Sequence, residues 1–154
     1  MTQEDRELLL KDLCARLPYG VKCYEADVEY AFDIIGTTSN NKEFVFSDGY
    51  ERNLEQIKPY LRPMSSMTEE EKKELERLID EKLNKHIGQE DDEWTPWVLY
   101  DTTGIKNSIG GERFYFDEMI FIYDWLNKKM FDYRGLIEKG LAIAVTEENN
   151  PYKE

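Results

Sequence analysis

Large apolar residues are densest between Phe116 and Val145. In the first half of this stretch they recur at steps of three and four residues, a spacing that places side chains on one face of a helix. The pattern predicts a helix over residues 116–130 that is covered on more than one side and lies at the centre of the core. Its apolar positions are Phe116, Met119, Ile120, Tyr123, Leu126 and Met130, with Phe121, Ile122 and Trp125 widening the face.

Shorter elements are predicted on the C-terminal side of this helix. Asp132 is placed to cap a short helix that ends at Gly140. Residues 141–145 form either a late strand or an apolar tail over the core. Residues 146–154 are polar, and we expect them to be frayed.

Two further helices follow from the same periodicity. The N-terminal helix begins at Thr2 and Asp5, which resemble a capping box, and a later helix begins at the standard capping box of Thr68 and Glu71. Gly88 is expected to end the later helix. The first apolar stripe consists of Leu9, Leu10, Leu13 and Leu17, and the second of Leu75, Leu78, Ile79, Leu83, His86 and Ile87.

Between these two helices the chain changes to a β pattern. Apolar residues alternate with polar or small ones over residues 28–34, which is the period of a half-buried strand. A shorter strand precedes it, and residues 43–47 are expected to pair back as a second long strand. Residues 54–61 are spaced for a short helical turn that Pro59 and Pro63 stop. The pattern predicts a small antiparallel sheet of about three strands.

Together these elements predict an α+β fold in a single domain over residues 1–154. Residues 1–67 would form the first helix and the small sheet, and residues 68–145 a mainly helical part. A chain of 154 residues is long enough to bury a core of its own.

Net charge narrows the classes of partner. The chain has 33 acidic and 20 basic residues, which gives a formal net charge of −13. Binding to a phosphate backbone needs a basic face, so direct nucleic-acid binding is not expected. The charge favours binding to a basic protein or mimicry of nucleic acid, although an acidic surface that only keeps the chain soluble explains it equally well.

Cysteine content and the N-terminal sequence bear on the cellular compartment. Cys14 and Cys23 are predicted to be reduced core residues, because two thiols do not make a disulfide framework. The first residues carry neither the basic region of a signal peptide nor an apolar run long enough for a membrane span. We therefore expect a cytoplasmic protein without membrane contact.

Three blocks of sequence carry a resemblance to a known family. They are residues 16–21 (RLPYGV), residues 57–68 (IKPYLRPMSSMT) and residues 131–142, which contain FDYRGLI and Gly140-Leu141-Ala142. In these blocks the chain resembles an uncharacterised family of Bacteroides-type gut bacteria and their phages. That family has no assigned activity, so the resemblance implies a phage or mobile-element context rather than a mechanism.

One candidate binding segment is an acidic run followed by tryptophans. A charged rim around aromatic anchors is typical of contacts with an oppositely charged protein. Four consecutive acids at 90–93 also fit a solvated loop, and they lack the register of a calcium-binding loop. The candidate binding residues of this segment are Asp91, Asp92, Glu93, Trp94 and Trp97.

A second candidate group lies in the family-like blocks. Tyr60 with Arg62, and Tyr133 with Arg134, form two aromatic–arginine pairs beside predicted turns. If the pairs meet in space, they make a binding surface. They fit a structural role equally well, with arginine capping carbonyl groups and tyrosine half-buried.

Candidates for catalysis and metal binding are weaker. Asp101 opens an Asp-x-Thr-Gly loop after an apolar run, as in phosphoaspartyl enzymes, but Ile105 stands where those enzymes usually carry a threonine. His86 is the single histidine, and no Cys-x-x-Cys pair accompanies it. We expect no cofactor and no metal.

Two function hypotheses from different classes follow. The first is a non-enzymatic accessory protein of a phage or mobile element that acts by protein–protein contact, as an acidic inhibitor or nucleic-acid mimic against a host protein. The second is a small hydrolase or transferase that uses Asp101 and nearby carboxylates. A cluster of buried acids with shifted pKa values favours the second, and a shallow acidic surface favours the first.

The acidic segment generates a kinetic prediction for binding to a basic protein. Replacing Asp91, Asp92 and Glu93 together by their neutral isosteres should lower the association rate, because exposed charges act mainly on diffusional encounter. Trp94→Ala should instead raise the dissociation rate. Surface plasmon resonance at two salt concentrations separates the two effects. Unchanged rates for both variants would leave the segment with a solubilising role only.

Overall fold

The computed structural model describes residues 1–25, 31–38, 43–84, 108–109, 112–113 and 116–153, and the fold is α+β as predicted. The helices are α1 (Gln3–Arg16), α2 (Glu69–Leu83) and α3 (Phe116–Lys128). The strands are β1 (Lys22–Glu25), β2 (Phe32–Thr37), β3 (Glu43–Phe46), β4 (Glu51–Asn53), β5 (Ile57–Leu61), β6 (Ser108–Ile109), β7 (Glu112–Arg113) and β8 (Ile143–Ala144). Short 3-10 turns cover Leu17–Tyr19, Leu54–Gln56 and Met64–Ser66.

Six of the strands form one sheet in the order β4-β3-β2-β1-β5-β8. All neighbouring strands pair antiparallel except β5 and β8, which pair parallel. Among the described residues, β6 and β7 pair with each other in a separate two-stranded sheet. The sheet is therefore larger than the predicted one and is mixed at one edge.

One face of the sheet packs against α1. Leu9 and Leu13 of α1 are fully buried, because residues four apart lie on one face of a helix and this face packs on the sheet. They lie in a first core cluster with inward side chains of four strands and nearby segments, which include Val21, Cys23, Ile34, Phe44, Phe46, Ile57 and Leu61.

A second core cluster joins α2 and α3. Leu75 and Ile79 of α2 are fully buried, as the apolar spacing predicts. They pack with one face of α3 and with the segment that follows it, through Met119, Ile122, Trp125, Leu126, Phe131 and Tyr133. The prediction that residues 68–145 are mainly helical depends in part on residues 85–107, which lie outside the described ranges.

Both predicted helix starts have side-chain caps. Thr68 accepts a hydrogen bond from the Glu71 N–H, and Glu71 accepts one from the Thr68 N–H, so the predicted capping box of α2 is confirmed. At α1, Thr2 accepts from the Asp5 N–H at 3.1 Å. This is the N-cap hydrogen bond of a capping box.

The prediction of a helical turn over residues 54–61 is wrong beyond residue 56. A short 3-10 turn does begin at Leu54, but residues 57–61 form β5 between two neighbouring strands. The Leu61 carbonyl accepts from the Val145 N–H, so the backbone groups of Leu61 and of Pro59, two residues earlier, lie on the β8 side of β5. β8 pairs with Tyr60 and Leu61 and does not extend as far as Pro59. Pro59 is tolerated because no strand faces its missing N–H.

The predicted face of α3 is partly wrong. Met119, Ile122 and Leu126 are buried, but Ile120 is 49% exposed. Met130 lies beyond the helix end, because its φ of 61° is in the left-handed region and turns the chain away. Its side chain consequently packs in the first core cluster rather than with the α3 face.

Three smaller predictions also differ from the structure. Cys14 is exposed, whereas Cys23 is buried as expected. The segment after Asp132 forms consecutive turns rather than a helix, although Asp132 does cap the Leu136 and Ile137 N–H groups. Residues 146–153 are held against the sheet rather than frayed, through the side chain of Tyr152.

The position of Leu126 generates a stability prediction. Leu126→Ala should lower the free energy of unfolding by about 2–5 kcal/mol, because it opens a cavity at a fully buried site between two helices. Ile120→Ala on the exposed side of α3 is the matched control and should change it by less than about 0.5 kcal/mol. Urea unfolding followed by tryptophan fluorescence measures both. A loss for Leu126→Ala as small as that of the control would mean that this face of α3 is not packed.

Candidate functional site

Two opposite charges are fully buried at the end of α1. Asp12 and Arg16 are each 0% exposed, and they form a bidentate ion pair, with Nε to Oδ2 at 2.8 Å and Nη2 to Oδ1 at 2.9 Å. Residues four apart lie on one helix face, so α1 presents both groups together toward the interior. A buried charge is costly unless it is paired and hydrogen-bonded, and the pairing through Nε and Nη2 meets both conditions, whereas Nη1 of Arg16 is buried without a hydrogen-bond partner among the described residues.

The pair connects α1 to the segment that follows α3. The Arg16 Nη2 donates to the carbonyl of Phe131 at 2.8 Å, and Arg134 donates to Asp12 Oδ1 at 3.2 Å. The ring of Tyr133 lies near both guanidinium groups, at 5.5 Å from Arg16 and 4.8 Å from Arg134. We call Asp12, Arg16, Asp132, Tyr133 and Arg134 the buried ionic cluster.

Burial shifts the pKa values of two cluster members. It raises the pKa of Asp132 above the ordinary aspartate value, and the nearby charge of Asp12 adds to the shift, although backbone hydrogen bonds and Arg16 oppose it. Burial likewise raises the pKa of Tyr133, whose hydroxyl donates to Asn127 Oδ1 at 3.0 Å. Both side chains are therefore held away from water by the packing around them.

The oxygen atoms of the two carboxylates in the buried ionic cluster, Asp12 and Asp132, already accept hydrogen bonds. Asp12 binds two guanidinium groups, and Asp132 accepts from two backbone N–H groups at 2.9 and 2.8 Å. Cys23 is fully buried, and burial raises the pKa of its thiol, which disfavours the nucleophilic thiolate. The arrangement is that of structural charges which fix backbone positions, and a general acid or base would need a free atom facing substrate.

A second arginine, Arg62, connects two of the three sequence blocks that carry the family resemblance. Arg62 forms a bidentate pair with Glu71 at 2.6 and 2.8 Å, and its guanidinium lies 4.2 Å from the centre of the Phe131 ring. Its backbone N–H donates to the Met130 carbonyl at 2.7 Å. Burial alone would raise the pKa of Glu71, but the hydrogen bonds from Arg62 and the Thr68 N–H lower it.

A third arginine crosses the inner face at the other end of the sheet. Arg52 donates to Glu25 at 2.5 Å and to both carboxylate oxygens of Asp48 at 3.0 and 2.8 Å. Its guanidinium lies 4.6 and 4.7 Å from the rings of Phe32 and Phe46. Hydrogen bonds to Asp48 raise the pKa of Arg52, so it stays charged at every accessible pH.

An open cleft of about 410 Å³ lies between the start of α1 and the turn that precedes β8. Asp5 and Lys139 approach each other across it at 3.6 Å. Asp12 and Asp132 are not among its lining residues, which are Met1, Asp5, Glu55, Ile57, Lys58, Lys139, Gly140 and Leu141. The buried carboxylates therefore do not face this cleft.

The four residues of the predicted aromatic–arginine pairs have partners within the chain. Arg62, Tyr133 and Arg134 are hydrogen-bonded to Glu71, Asn127 and Asp12 in the interior or at its rim, which agrees with the structural alternative. Tyr60 lies on the outer face of the sheet, where its ring meets Tyr24 edge to face with centroids 6.4 Å apart. A role of these residues in binding a partner stays a prediction.

Other predicted site residues lie outside the described ranges. These are Asp91, Asp92, Glu93, Trp94 and Trp97, together with the alternative catalytic residue Asp101 and the histidine His86. In the part of the chain that the structure describes, no group of three or more potential metal-ligating side chains occurs. No helix in that part is both long and apolar enough to span a bilayer.

Sequence reasoning missed Asp12 and Arg16, although a signal was present. The buried face of α1 runs through Leu9 and Leu13, and the helical spacing that places these two inward also places Asp12 and Arg16 inward. Opposite charges four residues apart on an apolar face indicate a buried pair.

No family model matches the sequence, and no curated protein or solved structure matches it. The resemblance to a family of Bacteroides-type bacteria and phages therefore remains a prediction. The three blocks that carry it nevertheless meet in the fold, because Arg16 and Arg62 both contact the segment at Phe131.

The buried ion pair generates a double-mutant prediction. Arg16→Met should lower the free energy of unfolding by about 3–5 kcal/mol, because Asp12 is left buried with one weaker partner. Asp12→Leu combined with Arg16→Met should cost much less than the two single changes added together. Chemical denaturation of the four proteins measures the coupling. Additive losses would show that the two charges do not depend on each other.

Proposed function

We propose that this protein is a non-enzymatic accessory protein that acts by binding another protein, and that its partner has a basic surface. The observation that carries the proposal is an exposed apolar side chain, Ile35, on the outer face of the six-stranded sheet in the described part of the chain. Helix α1 and the first core cluster occupy the inner face, whereas no described element packs over Ile35 on the outer face, which is 65% exposed.

Ile35 follows the buried Ile34 and is directed outward by the alternation of the strand, at an irregularity in the pairing of β2 with β3. Ile34 pairs with Phe46 and Gly36 pairs with Val45, so Ile35 is an extra residue in a β-bulge. A bulge re-aims a side chain and increases the local twist. The inward neighbour Ile34 is buried, whereas Ile35 is directed to solvent. An isoleucine held outward in this way is a suitable apolar anchor for a contact.

Other side chains on this face fit a protein contact. Tyr24 and Tyr60 lie on the two adjacent strands β1 and β5 and are half-buried. Lys22 and Asp33 pair across β1 and β2 at 2.6 Å, which neutralises the centre of the face. Aromatic and aliphatic side chains around neutralised charges are typical of the desolvated centre of an interface.

The net charge of −13 supports the choice of a basic partner. A strongly acidic protein attracts a basic surface at long range, and this attraction speeds the encounter before apolar groups make contact. The same charge disfavours contact with a phosphate backbone. Inhibition of a host nucleic-acid-binding protein by mimicry is one form of this proposal, and the family resemblance favours only its phage or mobile-element context.

The alternative of a hydrolase or transferase receives less support. Its candidate nucleophile, Asp101, lies outside the described residues. Among the described acids, the two in the buried ionic cluster have their oxygen atoms bound to arginine or backbone donors. They do not face the open cleft.

The proposal predicts that Ile35→Asp weakens binding. Affinity capture at low salt from the cells that encode the protein should recover a basic protein, and the purified pair should bind with a salt-dependent association rate. Ile35→Asp should lower the affinity at least about tenfold, because it puts a charge at a desolvated contact. Its unfolding free energy should stay within about 0.5 kcal/mol of the unmodified protein.

Ile120→Asp is the matched control, since it makes the same chemical change at an exposed isoleucine on α3. It should leave the affinity unchanged. Equal losses for the two variants would exclude the outer sheet face as the contact. Failure to recover a specific partner, or retardation of bare DNA or RNA by the purified protein at physiological salt, would contradict the proposed function.

A further inference from the structure

The C-terminal residues are tied to the sheet through one side chain. The Tyr152 hydroxyl donates to the Tyr60 carbonyl at 2.9 Å and accepts from the Lys22 N–H at 3.1 Å. Its ring packs against the first core cluster. Tyr152 is therefore both an apolar plug and a hydrogen-bonding group.

The hydroxyl occupies a position in the ladder between β1 and β5. These strands pair directly at Cys23–Pro59, Tyr24–Lys58 and Glu25–Ile57. The same register would next pair Lys22 with Tyr60, and here the Tyr152 hydroxyl bridges the two backbone groups. A side chain thus replaces a direct strand-to-strand hydrogen bond at this point.

The rest of this segment is held mainly by local bonds. Thr146 and Asn149 bond reciprocally, each accepting from the N–H of the other, and the Asn149 amide donates to the Ala144 carbonyl at 3.0 Å. The side chains of residues 146–149 are exposed. Among the described residues, the hydrogen bonds that join this segment to β1 and β5 are those of Tyr152.

A buried thiol lies next to the plug. Cys23 follows Lys22 in β1 and is fully buried in the cluster against which Tyr152 packs. Burial raises the pKa of Tyr152, and the nearby Cys23 adds to that shift. Cys23 is therefore a chemical probe for withdrawal of the Tyr152 ring.

We propose that residues 146–153 form a strap that opens as a unit at Tyr152 while the rest of the fold stays intact, exposing Cys23 and the unpaired Lys22 and Tyr60 backbone groups. A segment with few buried contacts and exposed side chains belongs to the least stable part of a protein, so it opens at a lower free energy than the core. The strap matches that description, because its hydrogen bonds to β1 and β5 come from one half-buried side chain, that of Tyr152.

Thiol labelling measures the opening directly. Cys14 is exposed and Cys23 is buried, so the full-length Cys14→Ser variant reports on Cys23 alone. In this background, Cys23 should react slowly with an aromatic disulfide reagent, at a rate with a shallow dependence on urea, since opening of a short strap exposes little surface. Tyr152→Phe should speed the reaction about tenfold or more, because two hydrogen bonds are lost from the closed state only.

Ile79→Val in the second core cluster is the matched control. It weakens the global fold without touching the strap, so it should change the labelling rate in the absence of urea by less than about twofold. The proposal is overturned if Tyr152→Phe leaves the rate unchanged. It is equally overturned if both variants accelerate labelling in proportion to their loss of global stability, with the full urea dependence of unfolding.

Discussion

The burial of a complete guanidinium group at Arg16 is the constraint on which the arrangement of the other elements depends. A fully buried positive charge must keep its acceptors within hydrogen-bond distance, and these come from Asp12 on the same helix and from the carbonyl of Phe131. The position of α1 on the sheet and the path of the chain after α3 are thereby set together. Since Leu9 and Leu13 belong to the first core cluster and Phe131 to the second, one charged side chain links the two.

Elements with local signals were the ones that sequence reasoning could place. Helices α1 and α2 follow from leucine spacing and from threonine caps, which act within a few residues. For residues 141–145 a strand was one of two alternatives, and the sequence could not decide between them, because the pairing of β8 with β5 joins residues more than eighty positions apart. β5 was missed for a related reason. A proline at position 59 disfavours a central strand, because it has no N–H for the ladder. It is acceptable in β5 because the pairing with β8 does not extend beyond Tyr60 to Pro59.

The candidate site shows the same division between local and long-range information. The aromatic–arginine pairs in the blocks that carry the resemblance singled out Arg62, Tyr133 and Arg134, but the contacts of these residues are with partners distant in sequence, such as Asp12 for Arg134. A sequence pattern does not distinguish an arginine that awaits a ligand from one that already holds a carboxylate. The alternation that places Ile34 inward also directs Ile35 outward, but the one-residue shift in register that follows between β2 and β3 has no local signal.

The hydrogen bond from the Asn149 side-chain amide to the Ala144 carbonyl has a consequence for association between chains. Val145 faces β5, so Ala144 in the same extended segment directs its carbonyl to the opposite, outer edge of the sheet. Outer edges of this kind are the usual templates on which strands of other molecules add. Here a side chain of the same molecule already occupies the acceptor, and the edge strand is only two residues long. Strand addition at this edge must first displace that amide, so the C-terminal segment protects the sheet against edge-to-edge aggregation.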